Sequence, residues 1–239
     1  MASLNSLVIS SLAKRGFVVR RHPATRRQRL LASHRVDLVL DVGAARGGYA
    51  TELREFGYTG RIVSFEPLAA AHAGLAQAAA GDSTWTTRNV ALGDTSGPQT
   101  INVASNSDSS SLLPMADQHR DASPDIDYVG TETIEVARLD DLAPELLGSD
   151  DRPFLKIDTQ GFERAVLTGA AGTLDRLVGL QLELSFVELY EGGMLADEAI
   201  AFCYDHGFSL VGLDQGFSDP GGAVLQADGV FLRTPGGKS

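Results

Sequence analysis

The sequence predicts an α/β fold, a seven-stranded and mostly parallel sheet with helices on both faces and an N-terminal helical cap. Short apolar runs alternate along the chain with amphipathic segments, the pattern of stacked βαβ units. A length of 239 residues suits one α/β domain. Hydrophobic residues make up 43% of the chain and charged residues 21%, which supplies a real core and excludes a disordered protein.

Five predicted strands follow one another in βαβ order, at residues 37–42, 61–66, about 85–90, 153–158 and 178–184. Helical segments separate them at 49–56, 69–80, 139–147 and 163–177. An antiparallel return pair, 208–213 and 229–232, joined by the Gly/Asp/Pro-rich turn 215–222, completes the seven strands.

Residues 102–130 are rich in Ser, Asp and Asn, and this composition predicts a long loop. Two further short strands, 101–103 and 133–136, flank the segment and are expected to pair with each other.

The first 36 residues differ in charge from the rest of the chain. They hold eight basic residues and no acid, although the whole chain has 20 basic and 31 acidic residues. Helical spacing of Leu4, Leu7, Val8, Ser11 and Leu12 predicts a helical cap over 1–36, followed by one compact domain over 37–239. We interpret the basic arm as a solvated helix face on an acidic body; an anionic substrate, a membrane surface and a transit segment are the alternatives.

Composition narrows the class of protein. A net charge of −11 argues against a nucleic-acid partner, because phosphate-backbone binding needs a basic surface. The single cysteine, Cys203, excludes an internal disulfide. No apolar run reaches the roughly 18–20 residues of a membrane span, and no signal peptide opens the chain, so we expect a cytoplasmic protein without stable membrane insertion. The oligomeric state stays open, a homodimer included.

A nucleoside-binding pattern follows the first two predicted strands. The first strand ends in a glycine-bearing turn, Asp41 to Tyr49, that opens directly into a helix. Glu66 ends the second strand, where its carboxylate can accept hydrogen bonds from both hydroxyls of a ribose. The alternative is that Asp41 caps the turn and Glu66 is a solvated strand end.

The turn favours S-adenosylmethionine over a dinucleotide. Ala45 stands where a dinucleotide site has its middle glycine, and Asp41 would repel a pyrophosphate. S-adenosylmethionine carries an ammonium, a sulfonium and a ribose but no phosphate, so it suits a turn that begins with a carboxylate.

Five strings of sequence occur in this order: DVGAARGGY (41–49), SFEP (64–67), NVALGD (89–94), SSSL (109–112) and FLKIDTQGFE (154–163). Together they resemble the FkbM family of S-adenosylmethionine-dependent methyltransferases. The resemblance implies the class I methyltransferase fold, which is Rossmann-like, and O-methylation of a hydroxyl on a sugar, glycolipid, polysaccharide or related natural product. It further implies that Asp41, Gly43 and Gly47 lie at the methionine moiety, Glu66 at the ribose, and Asn89 to Ala91 beside the adenine.

Methyl transfer to oxygen requires that the acceptor be aligned and lose its proton. Asp158 ends the fourth strand and is the expected general base. Alternatively, Asp158 and Glu183, on neighbouring strands about 4.8 Å apart, would share a divalent cation such as Mg²⁺. The structural alternatives are that Asp158 caps the following helix and that Glu183 pairs with Lys156 or with a solvent-side base.

His119 is the second candidate base. It lies in the Ser-rich segment between Asp117 and Asp121, whose charges are expected to raise its pKa, and loop motion would carry it over the acceptor.

The leading hypothesis is therefore an O-methyltransferase with a small-molecule or glycan acceptor. A non-catalytic nucleoside-binding module and an NAD-dependent enzyme are the two alternatives, the second disfavoured by Ala45 and Asp41.

Overall fold

A computed structural model describes residues 10–17 and 21–234 of the chain. Its strands are β1 (Leu38–Val42), β2 (Arg61–Phe65), β3 (Trp85–Arg88), β4 (Ala91–Leu92), β5 (Gly97–Ala104), β6 (Tyr128–Ala137), β7 (Pro153–Ile157), β8 (Gly179–Ser185), β9 (Phe208–Gln215) and β10 (Gln226–Arg233). Its helices are α1 (Pro23–Ser33), α2 (Gly48–Glu55), α3 (Ala69–Ala79), α4 (Asp117–Ala122), α5 (Leu139–Leu146), α6 (Glu163–Gly169) and α7 (Ala196–Asp205), with a 3-10 turn at Leu174–Arg176.

The main sheet has seven strands in the order β3-β2-β1-β7-β8-β10-β9. Only β10 runs against the others, since it pairs antiparallel with both β8 and β9. Strands β1, β2 and β3 are added in sequence order toward one edge of the sheet, and β7 then pairs with the other side of β1. Strand order therefore reverses between β1 and β7, the position at which open α/β sheets bind their ligands.

Helices cover both faces of this sheet, as the sequence predicted. On one face α5, α6 and α7 bury apolar side chains such as Leu139, Val166 and Cys203 against the sheet. On the other, α1, α2 and α3 form a second core that includes Leu31 and Leu53. All five residues of β1 are buried, because the strand lies at the centre of the sheet with a helical layer on each side.

A smaller sheet, β4-β6-β5, lies beside the main one. Its antiparallel β5–β6 pair confirms the expected pairing across the Ser-rich segment. That segment is not one long loop, however. The paired strands extend to Ala104 and from Tyr128, and α4 lies between them. The predicted third strand ends earlier than expected, at Arg88, as β3 of the main sheet; β4 begins at Ala91, beyond the predicted range, and joins the small sheet.

The predicted helix over 163–177 is wrong in length. It ends at Gly169, and the 3-10 turn Leu174–Arg176 follows. A Cβ on Gly169 would lie 1.8 Å from the backbone oxygen of Gly93, so this turn requires glycine, a residue that weakens a helix.

The N-terminal segment contributes a helix that packs on the domain. Residues 10–13 are helical, and α1 buries Ala24, Arg27 and Leu31. Leu4, Leu7 and Val8, on which part of the predicted cap depends, lie outside the described residues. None of the helices in the described ranges is long and apolar enough to cross a membrane.

Candidate active site

A cavity of about 420 Å³ opens at the carboxyl ends of β1, β2 and β7. Much of its wall comes from the turn after β1, the end of β2, the turn after β7 and the Ser-rich segment. Helices α1 and α2 supply a further side with Arg27, Tyr49 and Glu52. The volume lies within the range of about 300–1,000 Å³ that is usual for small-molecule sites.

The turn after β1 depends on glycine for two different reasons. Gly43 lines the cavity with a φ of +73°, and a Cβ there would lie 1.7 Å from the backbone oxygen of Asp158. Gly47, with a φ of +87°, precedes α2 and approaches Leu75 and Trp85 closely. Gly47 is absent from the cavity wall, so its place in the motif reflects packing of the turn. Ala45 and Gly48 do line the cavity.

Glu66 lies on the cavity wall and is held in place by backbone amides. The N–H of Ala45 donates to its Oε2 and the N–H of Leu68 to its Oε1, both at 2.9 Å. Burial raises the pKa of Glu66 to about 7, against the effect of these two hydrogen bonds. The glutamate is 6% exposed, so the alternative of a solvated strand end is wrong.

Asn89 and Ala91 differ in their relation to the cavity. Ala91 is buried and lines it. Asn89 does not; its side-chain amide donates to the backbone oxygens of Glu66 and Pro67 at 2.9 and 2.8 Å. Asn89 thus fixes the backbone that carries the glutamate.

Asp41 lies beneath the cavity and not on its wall. It has no exposed surface, accepts a hydrogen bond from Ser64 Oγ at 3.0 Å, and lies 3.2 Å from Lys156 Nζ. Lys156 also donates to the backbone oxygen of Gly43 at 2.9 Å. Burial alone would lower the pKa of Lys156, but the charges of Asp41 and Asp158 outweigh it and raise that pKa. The buried pair therefore fixes the glycine turn from below.

Asp158 follows β7 and faces the cavity, with its side chain about one third exposed at 34%. Gln160 Nε2 donates to Asp158 Oδ1 at 2.8 Å, and Lys156 Nζ lies 3.6 Å from Asp158 Oδ2. The capping alternative is wrong, because Glu163 and not Asp158 accepts the backbone amides of Thr159 and Gly161.

Glu183 shares the amide of Gln160 with Asp158. Gln160 Nε2 donates to Glu183 Oε2 at 3.0 Å, and Gln226 Nε2 donates to the same oxygen at 2.7 Å. Burial and the charge of Asp158 raise the pKa of Glu183 well above its usual range. Among the described residues Glu183 has no ion pair with Lys156, so that alternative is also wrong.

The Asp158–Glu183 pair does not have the form of an Mg²⁺ site. The donor hydrogens of Gln160 Nε2 lie between the two carboxylates, and the Lys156 ammonium is close to Asp158. Mg²⁺ requires oxygen ligands at about 2.0–2.1 Å in an octahedral arrangement. Within the described ranges, no group of three or more His, Cys, Asp or Glu residues converges as it would around a metal ion.

His119 is absent from the cavity wall. It lies on α4, is 5% exposed, and packs against Tyr190 and Phe217 with ring centroids 5.2 and 6.0 Å apart. The expected direction of its pKa is wrong: burial, with a contribution from Arg120, lowers it. Its neighbours in sequence, Asp117 and Asp121, do not offset this burial.

Several polar residues on the wall were not predicted from the sequence. Tyr49 Oη donates to Gln181 Oε1 at 3.1 Å, and Gln181 Nε2 donates to Asp228 Oδ1 at 3.2 Å. The Arg27 guanidinium lies over the Tyr49 ring, 4.6 Å from its centroid. The sequence does mark Gln181 and Lys156 as candidates, because each is a polar residue within an apolar run of a predicted strand. Arg27 occupies a buried position of α1, between Ala24 and Leu31.

The strand order, the single antiparallel strand β10 and a cavity across the ends of β1, β2 and β7 define a class I methyltransferase fold. A family model described as the methyltransferase FkbM domain matches residues 41–210. The chain therefore belongs to the FkbM methyltransferase family, as its sequence motifs predicted. A search of curated proteins finds no match to this chain.

Solved structures of other methyltransferases align with most of this chain. An rRNA methylase from Streptococcus thermophilus aligns over 91% of this chain and 100% of its own, with 13% identity and a TM-score of 0.49. Magnesium protoporphyrin IX methyltransferase from Synechocystis PCC 6803, with bound S-adenosylmethionine, aligns over 98% and 99%, with 10% identity and a TM-score of 0.47.

Proposed function

We propose that the protein is an S-adenosylmethionine-dependent O-methyltransferase that acts on a hydroxyl of a sugar, glycolipid, polysaccharide or related natural product. One observation carries the proposal. A single cavity is lined both by a buried carboxylate beside a glycine turn, Glu66, and by a partly exposed carboxylate two strands away, Asp158. The first suits a nucleoside and the second suits a hydroxyl that must lose a proton.

The cofactor end of the cavity has the donors and acceptors that the nucleoside requires. Each oxygen of Glu66 accepts one backbone amide and retains a lone pair, so the carboxylate can accept two ribose hydroxyls. Ala45 and Gly48 provide backbone groups for the methionine part of the cofactor, and Ala91 provides an apolar surface for its adenine. We assign Asp41, Gly47 and Asn89 indirect roles, since they hold the turn and the Glu66 backbone.

When bound, the cofactor supplies a methyl group already activated by the sulfonium. The protein then has to orient the acceptor and receive its proton. Asp158 is the group we assign to that proton: its Oδ1 is held by Gln160, and the Lys156 ammonium 3.6 Å from Oδ2 stabilises negative charge on it. A positioned base of this kind contributes about 10²–10⁴-fold to a rate.

Neither Mg²⁺ nor His119 has a part in this mechanism. The donor hydrogens of Gln160 lie where a shared cation would have to bind, and His119 packs outside the cavity wall. Asp158 is then the base in its own right, and Glu183 positions Gln160.

Transfer of a labelled methyl group from S-adenosylmethionine to a panel of sugars, glycolipids and polysaccharides tests the proposal. We expect labelled methyl ether on at least one acceptor, formed about 10²–10⁴-fold more slowly by the Asp158→Asn variant. Tight binding of S-adenosylhomocysteine with no transfer to any acceptor would instead support the nucleoside-binding module. Calorimetry with NAD, expected to show no binding, tests the third alternative.

A further inference from the structure

We propose that Arg27, Glu52 and Asp228 form the acceptor subsite, and that this subsite takes a neutral polyhydroxyl group in preference to an anionic one. The inference rests on the proposed function and adds to it the residues that select the acceptor.

Helix α1 supplies the central residue of this subsite. Ala24, Arg27 and Leu31 face inward on α1, and Leu31 belongs to the same apolar core as Leu53 of α2. An ion pair with Glu52 of α2 holds the Arg27 guanidinium at the cavity wall. The basic arm thus contributes one buried cation to the cavity, whereas Arg29, two residues further along α1, is exposed to solvent.

The Arg27 guanidinium has a fixed plane and an unused donor. It lies over the Tyr49 ring, 4.6 Å from the centroid, and an arginine stacked on an aromatic ring keeps its N–H groups in one plane. Nη2 donates to Glu52, and no described residue accepts a hydrogen bond from Nη1; the Nε–H also lacks a partner but is fully enclosed by protein. Because Arg27 lines the cavity, its Nη1 hydrogens are the donors that a ligand oxygen can accept.

Hydrogen-bond acceptor atoms of the protein lie on the same wall as this donor. Asp228 uses Oδ1 to accept from Gln181, which leaves Oδ2 for a ligand hydroxyl. Gln181 is already committed on both sides, to Tyr49 and to Asp228. One N–H donor and two carboxylates, Glu52 and Asp228, match a group whose hydroxyls both donate and accept.

The position of Asp228 agrees with an acceptor bound beside the reacting centre. Asp228 is on β10, and the sheet order places β8 between it and β7, which leads to Asp158. Glu66 follows β2, on the other side of β1. Asp158 therefore follows a strand that lies between the strand of the nucleoside acid and the strand of Asp228, as a base acting between cofactor and acceptor must.

Charge decides between neutral and anionic acceptors. Glu52 neutralises Arg27, and Asp158 and Asp228 add negative charge to the same wall. A carboxylate on the acceptor would meet these acids, and the two cations on the described wall, Arg27 and Lys156, are already paired with acids. We therefore expect neutral hexosides to bind more tightly than the matching uronic acids.

The test measures binding of methyl hexosides and their uronic-acid counterparts to protein loaded with S-adenosylhomocysteine, by ligand-observed NMR titration. Arg27→Met should weaken hexoside binding by about ten- to a hundredfold, as expected for one lost hydrogen bond to a charged group. Arg29→Met makes the same change of charge on the exposed face of α1 and should leave binding unchanged. Unaltered S-adenosylhomocysteine affinity in both variants shows that the domain is folded.

Glu52→Gln provides a second test, in which the binding preference should shift from hexosides toward uronic acids. Removing this carboxylate leaves the Arg27 charge unbalanced, so uronic acids should gain affinity relative to hexosides. The subsite is wrong if neutral hexosides fail to bind, if Arg27→Met binds them like Arg29→Met, or if Glu52→Gln leaves the preference unchanged. If hexosides bind at Arg27 but no methyl group is transferred, the proposed function fails and the subsite stands.

Discussion

Lys156 and Asp41 form a buried ion pair beneath the glycine turn, with Nζ 3.2 Å from Oδ1 and neither residue more than 5% exposed. The pair joins two neighbouring central strands, since Asp41 of β1 is in register with Lys156 of β7. From there Lys156 also reaches Gly43, so the ion pair connects the core of the sheet to the cavity wall.

Removing one partner of this pair should strongly destabilise the domain. Lys156→Met leaves the Asp41 carboxylate buried without its counter-ion, and breaking such a pair costs about 3–5 kcal/mol. Urea unfolding measures the loss. The double variant Lys156→Met/Asp41→Asn removes both charges and should lose less than the sum of the single changes. Strict additivity would show that the two side chains do not interact.

Two glycines of the same turn should differ in their tolerance of alanine. A Cβ at Gly43 would lie 1.7 Å from the backbone oxygen of Asp158, whereas a Cβ at Gly48 meets nothing within 4 Å. Gly43→Ala should therefore displace the β1 and β7 turns and lower the melting temperature. Gly48→Ala should melt close to the wild type. Equal melting temperatures would contradict the packing described for Gly43.

Replacing Glu66 should weaken binding of the cofactor product, S-adenosylhomocysteine. Glu66→Ala leaves two ribose hydroxyls without a charged acceptor, and a hydrogen bond to a charged group contributes about 1.5–3 kcal/mol. Affinity for S-adenosylhomocysteine should fall by about ten- to a hundredfold in calorimetry. Ala69, which starts α3 on the exposed surface, offers a control position: Ala69→Ser should bind like the wild type. Unchanged affinity of Glu66→Ala would falsify the assignment.

The affinity for S-adenosylhomocysteine should also depend on pH near neutrality. Burial raises the pKa of Glu66 from 4.5 to about 7, and ribose hydroxyls bind best to the ionised form. Affinity should therefore rise as the pH rises through 7, by up to about tenfold between pH 6 and 8. The free energy of unfolding of the free protein has the opposite dependence: it falls as the pH rises from 4.5 to 7, because the carboxyl ionises in the unfolded state there while it stays protonated in the buried site. Glu66→Gln should flatten the binding profile, and a flat wild-type profile would contradict the shift.

The parts of the site that could be predicted are those fixed by backbone geometry. The glycine turn and Glu66 follow strands whose apolar pattern is plain, so the sequence itself locates them at one edge of the sheet. Arg27 could not be found in this way, because its burial depends on the contact between α1 and α2. His119 was misjudged for a related reason: Asp117 and Asp121 are its neighbours in sequence, but burial against Tyr190 and Phe217 determines its pKa.

Asp158 should be essential for turnover and dispensable for binding the cofactor product. Its carboxylate lies two strands from Glu66, so Asp158→Asn should reduce turnover by about 10²–10⁴-fold with near-normal affinity for S-adenosylhomocysteine. The asparagine is nearly the same size and can still bond to Gln160, so a loss of rate reports the missing base and not a collapsed wall.

A chelator distinguishes the two roles considered for Asp158, that of a general base and that of a metal ligand. Because Gln160 Nε2 donates to both Asp158 and Glu183, we expect EDTA to leave wild-type turnover unchanged. Loss of activity in EDTA with recovery on added Mg²⁺ would mean that Gln160 turns its oxygen inward and that the two carboxylates bind a cation. His119→Phe, which keeps an aromatic ring against Tyr190, should retain turnover. Turnover at the wild-type rate by Asp158→Asn would show that this residue is neither the general base nor a metal ligand.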